Sequence, residues 1–292
     1  MAQRPPNCRI DYQAMRRLGV VFAGPGHMGA GTSTLFDASG FGNHGTLTNM
    51  AIPATATSGW GWDNTLGRFG LNYSTGQYVS IAGTPDLSFA GGGDIPFSLS
   101  VWANLTDATN SGLVGKATAT GVGFAEWGFW FGADDKLNFA CWSGGDTSKY
   151  IVGTTAALTA IQGTATHIVG TYNGSAAKEG LAIYVNGVPK SLTLGSSGYV
   201  SMTNTGVVVR TGTGYGSTHP CKGRLCDNLI FRRQLSPTEI AALADPSNVM
   251  LRVGGVSLIQ EPRRVLWRVA PVGGGFKPYW VPRTNRRIGA FA

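Results

Sequence analysis

The sequence predicts an all-β protein: two antiparallel sheets packed face to face and closed by one short helix. Three observations carry this. Apolar and polar residues alternate at strand spacing, most clearly over residues 96–105, where Phe97, Leu99, Val101 and Ala103 share one face and Ser98, Ser100, Trp102 and Asn104 the other. The 44 glycines and only 15 acidic residues favour many tight turns over long surface helices, whose exposed faces need charge. Residues 223–243 read as a core strand that runs directly into a capped helix. Leu225, Leu229, Ile230 and Phe231 supply apolar surface to both faces of that strand. Ser236 then stands at the N-cap, Pro237 at the first helical position and Glu239 three residues after the cap, so Ser236 and Glu239 can satisfy each other's amides.

Taken in order, residues 1–17 form a basic, proline-containing arm and 18–22 the first strand. Residues 24–34 are a glycine-rich loop. Its GPGHMGAG stretch lacks the Lys-Ser/Thr of a phosphate-binding loop, and no helical pattern follows it. Residues 59–62 read as a loop, with strands at 68–73 and 77–81. After the alternating strand come a hairpin, 126–131 and 136–142, turning at 133–135, then strands at 165–172 and 181–185. The last of these enters an Asn186-Gly187 hairpin turn. A strand at 207–210 precedes a second glycine-rich loop, 211–218. These make roughly a dozen strands, enough for two sheets in one domain over residues 18–244.

The net charge of +8 is unevenly spread. Arg4, Arg9, Arg16 and Arg17 against Asp11 give residues 1–17 a net +3; seven arginines and one lysine against Asp245 and Glu261 give residues 245–292 a net +6, leaving −1 for the middle. The C-terminal arm mixes Arg263, Arg264, Arg268, Arg283, Arg286 and Arg287 with Trp267, Tyr279 and Trp280. That mixture suits an acidic protein surface better than nucleic acid, whose arms are basic with little apolar content. Of the four cysteines, Cys8, Cys141, Cys221 and Cys226, none shows zinc spacing. Cys221 and Cys226 are near enough to bridge, but small buried thiols in a reducing compartment is the preferred reading, and the compartment stays open. No stretch of about 20 apolar residues is present to span a membrane, and the short apolar run after Arg17 is not read as a signal peptide.

An enzyme is not expected. The glutamates Glu126, Glu179, Glu239 and Glu261 form no closely spaced carboxylate motif. The histidines His27, His44, His167 and His219 are scattered, and no Gly-x-Ser-x-Gly elbow occurs. His167, at the start of a strand, reads as a satisfied core residue.

The pattern Gly-x-Leu-x-Asp-x-x-Ile-Phe-x-x-x-Leu-Ser-x-x-Glu-Ile, formed by Gly223, Leu225, Asp227, Ile230, Phe231, Leu235, Ser236, Glu239 and Ile240, resembles the closing segment of laminin-G-like, concanavalin A-like jelly-roll domains. FDASGFGNHGTL at 36–47 resembles their opening loop, and PFSLSVWANL, HIVGTYNG and LAIYVNGVPK their central strands in order. The resemblance covers residues 18–244. It implies a jelly-roll sandwich and a structural calcium ion held between the opening loop, at Asp37 and Asn43, and Asp227 of the closing strand. Ser39 and the carbonyls freed by Gly40 and Gly42 add hard oxygen donors there. The plainer alternative is a turn in which Asp37 and Asn43 bond only to backbone amides.

Trp60, Trp62, Trp127, Trp130 and Trp142 lie near loops or hairpins and could offer flat faces to sugar rings, although most tryptophans in a sandwich fill its core. Trp60 and Trp62, flanked by Gly59 and Gly61, are expected to be the exposed pair, with Tyr215 a further glycan contact. A near-neutral sandwich between basic, apolar arms is the pattern expected of a bacteriophage virion protein, a capsid decoration, head-fibre or tail component. Its partners would be capsid or tail proteins and copies of itself, and its sandwich would face host glycans. The alternative is a free, extracellular carbohydrate-binding module, with a glycoside-active enzyme third.

Overall fold

The structure, a computed structural model, describes residues 9–10, 12–26, 29–65, 67–118, 124–214, 219–246, 252–253, 256–257 and 259–260. Two sheets make the sandwich. The larger has nine strands in the spatial order β16 (Thr193–Ser197), β12 (Asp146–Ala157), β11 (Lys136–Ser143), β10 (Ala125–Phe131), β9 (Gly112–Ala117), β17 (Val209–Thr211), β7 (Tyr78–Ile81), β4 (Gly45–Thr48) and β3 (Thr34–Leu35). The smaller runs β15 (Val188–Pro189), β14 (Leu181–Val185), β13 (Thr166–Tyr172), β8 (Phe97–Leu105), β18 (Gly223–Phe231), β6 (Arg68–Tyr73) and β5 (Gly59–Asp63), with β2 (Val20–Gly24) as its eighth strand against β18. Every pairing within the two sheets is antiparallel. Outside the sandwich, β1 (Arg9–Ile10) pairs with β21 (Ile259–Gln260), and β19 (Arg252–Val253) with β20 (Val256–Ser257).

The inner faces follow from the period of two. Phe97, Leu99, Val101, Ala103 and Leu105 of β8 meet Trp127, Phe129 and Phe131 of β10 and Leu137, Phe139 and Cys141 of β11 in one buried cluster. Phe97 centres an aromatic knot, stacked on Phe89 at 4.1 Å and edge-on to Phe139 at 5.6 Å. The closing strand is buried on both faces from Leu225 onward, as its continuous apolar run predicts. Its first half pairs with β6 and its second half with β2 on the same edge. The change of partner falls at a register shift around Asp227, whose φ is +46°. The Asn186-Gly187 turn has positive φ at both residues, as a two-residue hairpin turn requires.

The outer face of the eight-stranded sheet is covered, which is why Ser98, Ser100 and Trp102 are buried as well. Helix α2 (Pro237–Ala244) begins in the expected capping box: the Ser236 amide donates to Glu239 Oε2 at 2.9 Å and Ser236 Oγ accepts from the Glu239 amide at 3.4 Å. Its Ile240 and Leu243 pack with Leu229 and Phe231. Helix α1 (Tyr12–Arg17) joins them, within the stretch read as an extended arm. Its Met15 is fully buried against the same cluster, so the stretch read as an arm is in part a lid on the sheet. Beside it lies a polar network. His167 Nε2 shares a 2.8 Å hydrogen bond with Ser100 Oγ, Arg68 lies over the Trp102 ring at 4.8 Å, and Arg68 and Asp227 form a buried ion pair at 2.7 Å. Burial, with the Arg68 charge second, pushes the His167 pKa down to about 3, so the ring is neutral at ordinary pH.

Candidate functional site

The same alternation that sends Trp127, Phe129 and Phe131 inward sends Gly128 and Trp130 outward, and in β11 it sends Asn138, Ala140 and Trp142 outward. The outer face of the nine-stranded sheet therefore carries an aromatic platform. Trp130, half-buried, stacks on the buried Trp142 with ring centroids 5.8 Å apart and planes 21° from parallel. His219 meets Trp130 edge-on at 6.1 Å, and half-buried Tyr150 lies opposite Trp142 across β11 and β12.

The loop after β17 returns over this face. The Gly212 amide donates to the Leu113 carbonyl, Thr213 bridges to Pro220, and Gly214 lies flat on β9 and β10. Gly115 and Gly128, cross-strand partners, make that approach possible: a Cβ on them would stand 2.2 Å and 2.5 Å from the Gly214 carbonyl oxygen. Across this loop, on the side of β17 and β7, Arg210 lies 4.4 Å over the Tyr78 ring.

The structure divides the expected sugar contacts. Trp60, expected to be exposed, is only 7% exposed: it belongs to strand β5, lies in the core and donates its indole N–H to the Thr32 carbonyl at 2.7 Å. Gly59 beside it is needed because a Cβ there would meet the Ala51 carbonyl at 2.4 Å, so the flanking glycine marks close packing rather than exposure. Trp62 is half-buried and packs edge-on against Phe69 at 5.3 Å, at the sheet edge and away from the platform. Tyr215 lies outside the described residues, in the tip of the loop whose base borders Trp130. Arg263, Arg264, Trp267, Arg268, Tyr279, Trp280, Arg283, Arg286 and Arg287 of the C-terminal arm also lie outside them, as do Cys8 and His27.

At the opening loop, the Asp37 carboxylate accepts four hydrogen bonds. Oδ1 takes the amides of Ala23 (3.0 Å) and Ser39 (2.8 Å); Oδ2 takes Ser39 Oγ (2.7 Å) and the Asn43 amide (2.9 Å). Asn43 is spent too, its Nδ2 on the Val21 carbonyl and its Oδ1 on Thr84 Oγ1. Asp227 faces the Arg68 guanidinium. These partners argue against a calcium ion shared by Asp37, Asn43 and Asp227: donor hydrogens occupy the lone pairs a cation would take, and an arginine already neutralises Asp227. Among the described residues no group of three or more His, Cys, Asp or Glu side chains could hold a metal. Cys221 and Cys226 are free and buried.

Glu126, Asp94 and Glu239 are likewise engaged with protein donors. Glu126 forms a fully buried ion pair with Lys116 at 2.9 Å and also accepts from Ser88 Oγ and the Thr205 amide. Asp94 takes the hydroxyls of Tyr172 and Tyr199 and the Met202 amide. Glu239 serves the cap and Arg233. They tie loops to the sheets rather than converging on one cleft.

Comparison with known proteins agrees with the fold. A family model described as the concanavalin A-like lectin/glucanases superfamily, of laminin G type, matches residues 73–241. The chain belongs to this superfamily. Among solved structures, it is similar to domain 4 of an extracellular arabinanase from Geobacillus stearothermophilus, solved with arabinotriose (TM-score 0.54, 16% identity, 77% of this chain and 98% of that one). It is also similar to the binding domain of Paraclostridial Mosquitocidal Protein 1 (TM-score 0.55, 15% identity, 78% and 52%) and to the ligand-binding domain of botulinum neurotoxin serotype D, solved with N-acetylneuraminic acid (TM-score 0.53, 12% identity, 80% and 52%). This chain thus spans about half of those toxin domains and nearly all of the arabinanase domain. No curated protein matches the sequence significantly. Among the described residues, no helix is long and apolar enough to cross a membrane.

Proposed function

We propose that this member of the superfamily is a carbohydrate-binding module that takes sugar rings on the outer face of its nine-stranded sheet. The observation that carries the reading is the half-buried Trp130 stacked on Trp142 beside His219. An indole held flat by a second indole presents a rigid apolar face, and the C–H face of a sugar ring packs on such a surface at little entropic cost. The loop base at 213–214 and 219–220 gives the platform a wall. The structural likeness to an arabinanase domain solved with arabinotriose, of which this chain covers 98%, supports a self-contained binding module. Binding without turnover is in keeping with Glu126, Asp94 and Glu239 being committed to protein donors.

The reading is tested by calorimetric titration of oligosaccharides selected on a glycan array, with wild type and Trp130→Ala. The variant should bind at least about tenfold more weakly while still melting as a folded protein, its Tm lowered by the lost stack on Trp142. Undiminished affinity would move the site elsewhere. A particle-bound setting, with capsid or tail partners and self-association, is a separate proposal that rests on the net +6 of residues 245–292 and gains no support from the comparisons. It predicts that deleting 245–292 leaves a folded sandwich no longer incorporated into particles.

A further inference from the structure

We propose, resting on the carbohydrate-binding reading, that the glycan carries an oxyanion, a carboxylate or a sulfate, and that Arg210 receives it on the side of the loop opposite Trp130. Three groups stand in lateral register across β4, β7 and β17: Thr46 opposite Ser80, and Ser80 opposite Arg210. At about 4.8 Å between strands, two hydroxyls and one guanidinium lie within about 10 Å on one face. The Tyr78 ring, on the same face, lies 4.4 Å from the guanidinium carbon. The Nε of Arg210 is buried and has no hydrogen-bond partner. Arg68, Arg224 and Arg233 each meet a carboxylate, of Asp227, Asp63 and Glu239, and Arg232 donates to the carbonyls of Pro85 and Ser88, whereas no ion pair to Arg210 occurs among the described residues.

A half-buried guanidinium resting on an aromatic ring, with no carboxylate partner among the described residues and hydroxyls in the same row, is matched to the oxygens of an oxyanion. The same lateral row continues from Arg210 through Gly115 to Gly128, one strand from each to the next. Trp130 is two residues along β10 from Gly128, which puts it roughly 12 Å from Arg210; because Gly214 lies on Gly115 and Gly128, an oligosaccharide that reaches both crosses the loop base.

The test is an array of glycans in matched pairs, each uronate or sialoside beside its methyl ester and each sulfated glycan beside its desulfated form. It is probed with the full-length chain as wild type, Arg210→Met, Arg210→Lys and Trp130→Ala. Wild type should favour the acidic member by about tenfold, the carboxylate and sulfate pairs showing which oxyanion is taken, and the preference should shrink as salt rises. Arg210→Met should bind both members as weakly as wild type binds the neutral one. Arg210→Lys, a point charge without the fork, should fall between. Equal binding of both members by wild type, or an intact preference in a folded Arg210→Met, would overturn the proposal while leaving sugar binding in place. Should Arg210→Met not fold, an undiminished preference in Arg210→Lys overturns it. If no glycan of either kind binds, the carbohydrate reading falls and this proposal with it.

Discussion

Adding one methyl group at Gly128 tests whether the loop base forms part of the site. In Gly128→Ala the new Cβ would lie 2.5 Å from the Gly214 carbonyl oxygen and 3.0 Å from Cη2 of Trp142. Approach below 3.0 Å is not sustained by a real Cβ, and the nearer atom is backbone, so the loop must lift by about 0.5 Å or more. Overpacking of this kind costs about 1–3 kcal/mol, which for a domain of this size lowers Tm by about 2–12 °C. No side chain of the platform is removed. Sugar affinity should nevertheless fall, because His219 and Trp130 are placed by the same loop. Gly93→Ala is the control: nothing lies within 4 Å of its added Cβ, and the change should stay within about 0.5 kcal/mol. Thermal melts of both variants, paired with titration of the bound oligosaccharide, read the two effects together. A Gly128→Ala protein that melts and binds like Gly93→Ala would refute the reasoning.

Acid should destabilise the sandwich in two windows. His167 titrates near 6.5 when unfolded and only near 3 when folded, so the unfolded chain binds the extra proton between these values and stability falls as pH drops from about 6.5 toward 3. Glu239, held down to about 2 chiefly by Arg233, contributes stability present above its ordinary 4.5 and lost as pH falls toward 2. In melts from pH 8 to 2.5, His167→Asn should flatten the upper part of the decline and Glu239→Gln the lower, and a wild-type Tm that does not change between pH 6.5 and 4.5 would contradict the His167 assignment. Chelation with EDTA should leave Tm unchanged, because Asp37 and Asp227 are compensated by protein donors. A drop on EDTA that calcium restores would establish the shared cation at Asp37, Asn43 and Asp227.

Local signals told most of the fold. The alternation over 97–105, the two-face apolar run after Gly223, the Ser236–Glu239 reciprocity and the Asn186-Gly187 turn are each decided within ten residues of sequence, and each stands in the structure as read. Strands that lack such signals were missed. β9 has two glycines and a lysine in six residues, and β12 is rich in threonine. Among its described side chains helix α1 offers one fully buried apolar anchor, Met15, too little for a helical period. The site was half legible. The parity that puts Trp130 and Trp142 opposite the core aromatics can be counted from the sequence, but the glycines around Trp60, a local sign of exposure, mark its close packing in the core. What local pattern could not supply is the return of the 211–220 loop over β9 and β10, because Gly115, Gly128 and Gly214 meet only through tertiary contact. Nor could it show that one of the four donors to Asp37, the Ala23 amide, comes from 14 residues away.

The most direct test of the central claim is a crystal structure of the chain with a bound oligosaccharide chosen by array screening. The account predicts a sugar ring packed on the Trp130 indole, beside His219 and on the outer face of the nine-stranded sheet. A ring seated instead against Trp62 and Phe69, or in the opening-loop cleft lined by Arg16 and His44, would contradict it.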